Sequence, residues 1–258
     1  MVGNNIIRRP IAERLSNWLA RQTRATAIID LPEVFASIGT TIGEVRRENQ
    51  DRALVVRFAS NASRGDGFIA CLIADGMGGM VEGARCAEIA LAMFVDALIR
   101  DGAGPIESKL RFATEVANAQ VYRQFRQRGG TTIVGLVLSE LCAVGVSAGD
   151  SQLHSFSPLG RLRQISVDDT IAGEVKRLTG NYPVDDEADS SAAQLVQYVG
   201  MGDGIKPRIY EINPRGPDER YLISSDGTNG VPFETLEKVL THASSVSEAA
   251  RRAIHLSN

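Results

Sequence analysis

Four aspartates in this 258-residue sequence share one local context, each standing where an apolar, strand-like run gives way to a turn. They are Asp51 (Asn-Gln-Asp), Asp75 (Ala-Asp-Gly), Asp150 (Ala-Gly-Asp-Ser) and Asp226 (Ser-Ser-Asp-Gly), and three of them adjoin a glycine. Strand-end carboxylates from separate strands can converge at one edge of a sandwich, where their mutual repulsion calls for a cation. Oxygen-only ligation suits Mg²⁺ or Mn²⁺ rather than zinc, and no His or Cys cluster competes. A two-metal centre of that kind sets its ions about 3.5–4 Å apart, bridged by a carboxylate and by a water made nucleophilic at neutral pH. Each aspartate taken singly reads as a turn residue; the set of four in order is what points to a site.

Asp75 has the most informative surroundings. Leu72-Ile73-Ala74-Asp75-Gly76-Met77-Gly78-Gly79-Met80-Val81-Glu82-Gly83 ends an apolar strand in a carboxylate, follows it with closely spaced glycines, and then opens a helical pattern near Val81. Gly76, Gly78 and Gly79 allow a sharp bend and close backbone approach to a ligand. The helix start turns free N–H groups toward the same space, which favours an anion there. One strand end can therefore hold a hard cation beside a phosphate. Alone, the stretch reads equally as a tight turn with a solvated aspartate.

The chain is long enough for one large domain or two small ones. At 43% hydrophobic and 23% charged it has the composition of an ordinary globular protein with a sizeable core. A net charge of −3 with no basic block argues against nucleic acid or an anionic membrane as partner. The longest apolar runs, Ile69–Ala74 and Thr132–Leu138, are strand-length, far short of the roughly 20 residues a membrane span needs. Ile6-Ile7 is followed at once by Arg8-Arg9-Pro10, so no signal peptide is visible and a cytoplasmic protein is expected. Cys71, Cys86 and Cys142 lie inside apolar periodic segments and read as reduced core residues.

Residues 1 to about 33 form a separate block with one amphipathic helix, in which Ile11, Leu15, Trp18 and Leu19 make the apolar side and Arg14 and Arg21 the polar one. It either docks a partner or packs on the domain, and packing is the preferred reading. A strand is expected over Val34–Ile42, then strands at Ala53–Phe58 and Phe68–Ala74. Two helices follow, with stripes Ala84, Ala87, Leu91, Phe94, Val95, Leu98 and Ile106, Leu110, Ala113, Ala117, Val121, Phe125, parted by Gly102 and Gly104-Pro105. Thr131–Leu138 and Cys142–Ser147 predict a β-hairpin, and Gln152–Phe156 and Leu162–Val167 predict strands. Residues 168–197 carry Asp168, Asp169, Asp185, Asp186, Glu187 and Asp189 and read as a mobile surface flap with short helices. Short strands at Arg208–Ile212 and Tyr221–Ser224 precede helices at Phe233–Leu240 and Glu248–Ile254. Strands that come in hairpins, with consecutive long helices, favour an α+β layered domain of antiparallel sheets over a doubly wound parallel fold.

With these landmarks in order, the sequence resembles the metal-dependent protein serine/threonine phosphatases of the 2C type, in their bacterial form. The resemblance rests on Gly43-Glu44-Val45-Arg46-Arg47-Glu48-Asn49-Gln50-Asp51, Ala74-Asp75-Gly76-Met77-Gly78-Gly79, Gly130-Thr131-Thr132, Gly149-Asp150-Ser151 and Ser225-Asp226-Gly227, and runs from about Phe35 to near the C-terminus. It implies a four-layer α-β-β-α sandwich, with two antiparallel β-sheets flanked by helices over residues 34–258. By resemblance, Asp75 bridges two metals and the Gly76 carbonyl binds one of them. Asp226 holds the second, and Asp51 acts directly or through water. Asp150 shares a third, weaker metal with Asp226. Arg46 grips the substrate phosphate, for which a guanidinium offers paired donors; without the resemblance it reads as a solvated member of a basic pair.

Three departures accompany the resemblance. Met77 stands where many relatives carry a histidine general acid, so solvent is expected to protonate the leaving serine or threonine oxygen. Gln50 replaces a glutamate of some relatives. The family closes with an Asp-Asn pair opening a last strand, and this sequence stops at Asn258 where that pair is due; either it is cut short there or the centre lacks one carboxylate. The expected function is hydrolysis of phosphoserine or phosphothreonine on proteins by a metal-bridging hydroxide, using two Mn²⁺ or Mg²⁺ ions. No phosphoenzyme is expected, since no activated Cys, His or Ser nucleophile accompanies the aspartates. The alternative is a catalytically silent module of the same fold that binds a phosphoprotein or regulatory partner. A small phosphorylated metabolite as substrate is not separated from these by the sequence. The expected partner is a phosphoprotein, the activity opposing a serine/threonine kinase, with a monomeric, bacterial, cytoplasmic enzyme of signalling.

Overall fold

The computed structural model describes residues 10–21, 26–44, 46–59, 67–77, 79–80, 82–100, 104–140, 142–158, 160–180 and 191–257. Ile6, Ile7, Arg8, Arg9, Val45, Gly78, Val81, Gly102, Asp185, Asp186, Glu187, Asp189 and Asn258, named above, lie outside them.

The first helix, α1 (Pro10–Leu19), packs on the domain as expected, but with a different face. Ala12, Ser16 and Leu19 are buried, at spacings of four and three, while Ile11 and Trp18 are about half exposed. Small side chains at the first two positions let the helix come close to its neighbour. Next, β1 (Ala27–Leu31) forms an antiparallel hairpin with β2 (Ala36–Thr40) through a 3-10 turn at Pro32–Val34. The strand expected over 34–42 is thus shorter, and its partner comes from the block read as an extension.

The central sheet is built from β3 (Asp51–Phe58), β4 (Phe68–Asp75), β5 (Ile133–Leu138), β6 (Ala143–Ala148) and β9 (Arg208–Ile212), antiparallel throughout in the order β3-β4-β5-β6-β9. Between β4 and β5 the chain makes α2 (Gly83–Arg100) and α3 (Ile106–Phe125), which lie together on one face. Alternation along the strands sets what each face buries. Leu54, Ala70, Leu72, Ala74, Ile133 and Val137 pack with the helices, whereas Ile73, Val134, Leu136 and Leu138 point the other way.

That second face is covered by a further β layer. It consists of β7 (Gln152–Phe156), the two-residue β8 (Arg163–Gln164) and β10 (Arg220–Ser224), in the order β10-β7-β8, with the β1–β2 hairpin beside β3. Helices α5 (Phe233–Thr241) and α6 (Val246–Leu256) close the outside through Leu236, Leu240, Ala249 and Ala253. The layers run helix, sheet, sheet, helix, as the α+β reading requires. The outer β layer is in two hydrogen-bonded pieces rather than one continuous sheet. A cleft of about 2080 Å³, lined by residues of β2 and β10 among others, runs to the loops that carry the aspartates.

Two expectations around residue 168 are corrected. The strand expected at 162–167 pairs only at Arg163–Gln164. The acidic stretch begins inside the protein, not on a surface flap: Asp169 is fully buried, bonded by the Gly149 N–H at 3.1 Å and by Arg208 Nε at 2.6 Å, and Asp168 accepts from Gln152 and Gln164. Only beyond it does the chain make α4 (Ile171–Thr179), capped by the Thr170 side chain, which accepts from the Gly173 N–H.

Candidate metal centre

Antiparallel register places Asp51, the first residue of β3, directly opposite Asp75, the last of β4. Like charges facing each other across a strand pair destabilise the sheet unless something neutralises them. Asp226, in a 3-10 turn (Asp226–Thr228) just after β10, is close enough to hydrogen-bond Asp75, as Asp51 is. Asp150, after β6, lies within the field of Asp226. The four aspartates gathered from separate strands in the sequence therefore line one end of one cleft, together with Gly76 and Arg46.

The ionisation of these groups records their crowding. Burial, with Asp51 and Asp226 alongside, pushes Asp75 up to about 9. Burial raises Asp51 as well, against the hydrogen bond it accepts from Ser225 Oγ at 2.7 Å. Asp150 rises to about 6, through burial and then the charge of Asp226. Carboxyl groups that must share protons to coexist are ones a divalent cation would discharge, and their oxygen-only donor set fits Mn²⁺ or Mg²⁺. Among the described residues, no group of three or more His, Cys, Asp and Glu side chains stands close enough to hold a metal ion as it is.

The backbone around them is tightly held. The Asp75 carbonyl accepts from Thr131 Oγ1 at 2.7 Å and from the Thr132 N–H at 2.9 Å, while its own N–H donates to Thr132 Oγ1 at 3.1 Å. Thr132 Oγ1 also meets Ser151 Oγ at 2.6 Å, which joins the Gly130-Thr131-Thr132 and Gly149-Asp150-Ser151 turns. Gly76 donates its N–H to the Gln50 carbonyl. A side chain at Gly76 would lie 2.3 Å from the Gly83 carbonyl carbon, so glycine is required where the turn presses on the start of α2. That helix begins at Gly83, within two residues of the expected start. Met77 hydrogen-bonds Gly130 through its backbone N–H and lines the cleft.

Arg46 is exposed at the cleft and near enough to Asp51 to favour its charged form. Sequence reading assigned no role to Ser225, Thr131, Thr132 or Asn49, which position the acids. Asn49 accepts from the Asp51 N–H at 2.9 Å and donates to Thr40 Oγ1 at 2.8 Å. Their signal was adjacency to the aspartates within the quoted motifs. The thiols are absent from the site's chemistry: burial raises Cys71 to about 11 and Cys86 to about 12, and none of the three cysteines is in a disulfide.

A layered α-β-β-α fold here carries strand-end carboxylates whose oxygen donors suit divalent ions. No family model matches the sequence. The serine/threonine phosphatase Stp of Listeria welshimeri is 27% identical over 228 residues, covering 84% of this chain and 87% of that one. Among solved structures, the PPM Ser-Thr phosphatase MsPP from Mycobacterium smegmatis in complex with cacodylate superposes with a TM-score of 0.69 at 25% identity, over 91% of this chain and 90% of that one. The catalytic domain of the serine/threonine protein phosphatase PstP in complex with two manganese ions does so with a TM-score of 0.63 at 25% identity, over 83% and 87%. Each of these is a serine/threonine phosphatase, and the chain is similar to them along most of its length.

Proposed function

We propose that the chain removes phosphate from phosphoserine and phosphothreonine on protein substrates in a reaction dependent on two divalent ions, Mn²⁺ or Mg²⁺. The observation that carries this reading is the opposition of Asp51 and Asp75 across the β3–β4 ladder, with Asp226 in hydrogen-bonding reach. Asp75, between the other two, is the group able to bridge two ions; Asp226 and Asp51 would each hold one side, with the Gly76 carbonyl adding a ligand. Asp150, next to Asp226, would serve a third and weaker site. When bound, the ions supply a water acidic enough to attack phosphorus at neutral pH and neutralise charge on the phosphate.

The chain's own residues supply the rest. Ser225 and Asn49 fix the Asp51 carboxylate and backbone, and Thr131 and Thr132 hold Asp75 in place. Arg46 presents a guanidinium at the open mouth of the cleft, where it would take two phosphate oxygens and orient the ester. No side chain with a general acid's chemistry stands at Met77, so the leaving oxygen takes its proton from solvent. Further along the same reading, the enzyme opposes a serine/threonine kinase in bacterial signalling and works in the cytoplasm as a single chain. No described helix is long and apolar enough to cross a membrane.

The silent-module alternative is disfavoured by relatives that are themselves named as phosphatases. Phosphate release from a phosphothreonine peptide, followed with Mn²⁺ and with EDTA, tests the proposal. Release that depends on metal is expected; tight Mn²⁺ binding with no release would replace the enzyme by the module.

A further inference from the structure

Arg52 sits where a charge is costly. Its side chain is 1% exposed, on the face of β3 that packs against α2, next to the apolar Leu54 and Leu72 row. A buried guanidinium needs partners for its donors; the two terminal nitrogens of Arg52 have them, while Nε is buried with none among the described residues. Here Nη2 meets Glu88 Oε1 of α2 at 2.9 Å, and Glu88 is itself 7% exposed. The other terminal nitrogen, Nη1, donates to two backbone carbonyls, those of Asn49 at 2.9 Å and Asp51 at 2.8 Å.

Those two carbonyls bracket Gln50 and lead directly into the Asp51 side chain. The Asp51 N–H is already held by Asn49 Oδ1. The peptide groups on both sides of Asp51 are therefore clamped, one by an asparagine at the rim and one by an arginine from behind the sheet. Glu88 is braced in turn: Oε2 accepts from Arg85 at 2.9 Å, and the same Arg85 nitrogen donates to Ser16 of α1 at 2.8 Å. A chain of charge-assisted hydrogen bonds thus runs from α1, through α2, to the first residue of β3. Well-packed apolar residues fill such a space at least as stably as an ion pair does, so stability alone gives no reason for the pair. What an apolar pair lacks is a donor for the carbonyls of Asn49 and Asp51.

We propose that Arg52, anchored on Glu88, is a positioning residue of the metal centre: by holding the carbonyls of Asn49 and Asp51 it sets the Asp51 carboxylate opposite Asp75. The inference rests on the reading of Asp51 as a metal-holding group. Its consequence is specific to geometry. Lysine at position 52 keeps the charge but has no fork with which to reach Glu88 and two carbonyls together.

The test is calorimetric titration of the full metal-free chain with Mn²⁺, comparing the parent, Arg52→Lys, the double variant Arg52→Met/Glu88→Leu, and Asp51→Asn, with thermal unfolding of each recorded in EDTA. The double variant removes both charges at once and so avoids stranding one in the core. Arg52→Lys and the double variant are expected to bind Mn²⁺ about 10–100-fold more weakly, as for other residues that orient a ligand. Phosphate release by both should recover most of its parental maximum at saturating Mn²⁺. If they unfold at lower temperature yet bind Mn²⁺ as the parent does, Arg52 only holds the fold and the proposal is overturned. If Asp51→Asn also leaves Mn²⁺ binding unchanged, the reading of Asp51 fails and takes the proposal with it. Weaker binding in Asp51→Asn with no change in the Arg52 variants defeats the positioning role alone.

Discussion

At the scale of single residues, Asp75 has two opposite roles that one substitution separates. In the metal-free protein it is a buried acid that keeps its proton up to about pH 9. With metal it is the shared carboxylate. Asp75→Asn keeps the shape and removes the need to take up a proton on folding, so it should raise the melting temperature in EDTA at pH 8 while abolishing the rise that Mn²⁺ gives the parent. Phosphate release should drop by more than about 100-fold, since even changes one shell out from a metal cost 10–100-fold. A variant that melts lower in EDTA and still gains from Mn²⁺ would contradict this. Thr132 makes a gentler case. Thr132→Val deletes the hydroxyl that receives the Asp75 N–H and meets Ser151; the loss should cost about 1–3 kcal/mol in denaturant unfolding, the range for a stranded buried polar group.

Elements carry the next constraint, because the site is made where strand ends meet a helix start. Gly76→Ala would drive a methyl into the Gly83 backbone, 2.3 Å away with no flexible side chain to yield. The start of α2 must then shift from the sheet, at about 1–3 kcal/mol by analogy with overpacked cores, and Mn²⁺ affinity should fall with it. Calorimetry and chemical denaturation on one variant check both. The elements most legible in the sequence were those whose pattern is repeated over many turns. The stripe Ala84 to Leu98 lies buried as read, as does the second from Leu110 to Phe125, with Ile106 at its head only partly buried, and all four aspartates stand at the strand ends that alternation and glycine marked. Short elements were not legible, because pairing rather than pattern makes them. Ala27–Leu31 is a strand by virtue of β2, and Arg163–Gln164 is trimmed to two residues by what β7 offers. In α1 hydropathy misled: Trp18 is large and apolar but faces out, while Ala12 and Ser16 face in because a close helix contact needs small side chains. Asp169 was misread for a similar reason, its charge answered by Arg208 from a strand far along the chain.

For the molecule as a whole, the acids couple folding to pH and to metal. Between pH 6.5 and 9 the folded, metal-free protein retains a proton on Asp75 that the unfolded chain has already lost at its ordinary carboxylate value of 3.8. The folded state binds more protons, so stability falls as pH rises, by at most about 1.4 kcal/mol per pH unit for one group. Asp150, raised to about 6, adds a loss of the same sign lower down. His154 acts oppositely: burial lowers it to about 4 from 6.5, so its contribution is full above pH 6.5 and is lost as pH falls toward 4. Above pH 6.5 it is silent, and melting temperature in EDTA should decline steadily from there to pH 9. Mn²⁺ displaces the protons, so its stabilisation should be larger at pH 8.5 than at pH 6.5, as differential scanning fluorimetry would read; a metal-free melting temperature that rises over this range would reject the account. The helix that ends the hydrogen-bond chain from Arg52 also carries the sequence's single tryptophan, Trp18, about half exposed two residues from Ser16. Indole emission therefore watches one place only, the seat of the first helix, while circular dichroism averages over every layer. Heating curves from the two signals would coincide if that helix melts with the rest, and would part, fluorescence first, if it lifts away while the sandwich beneath stays whole.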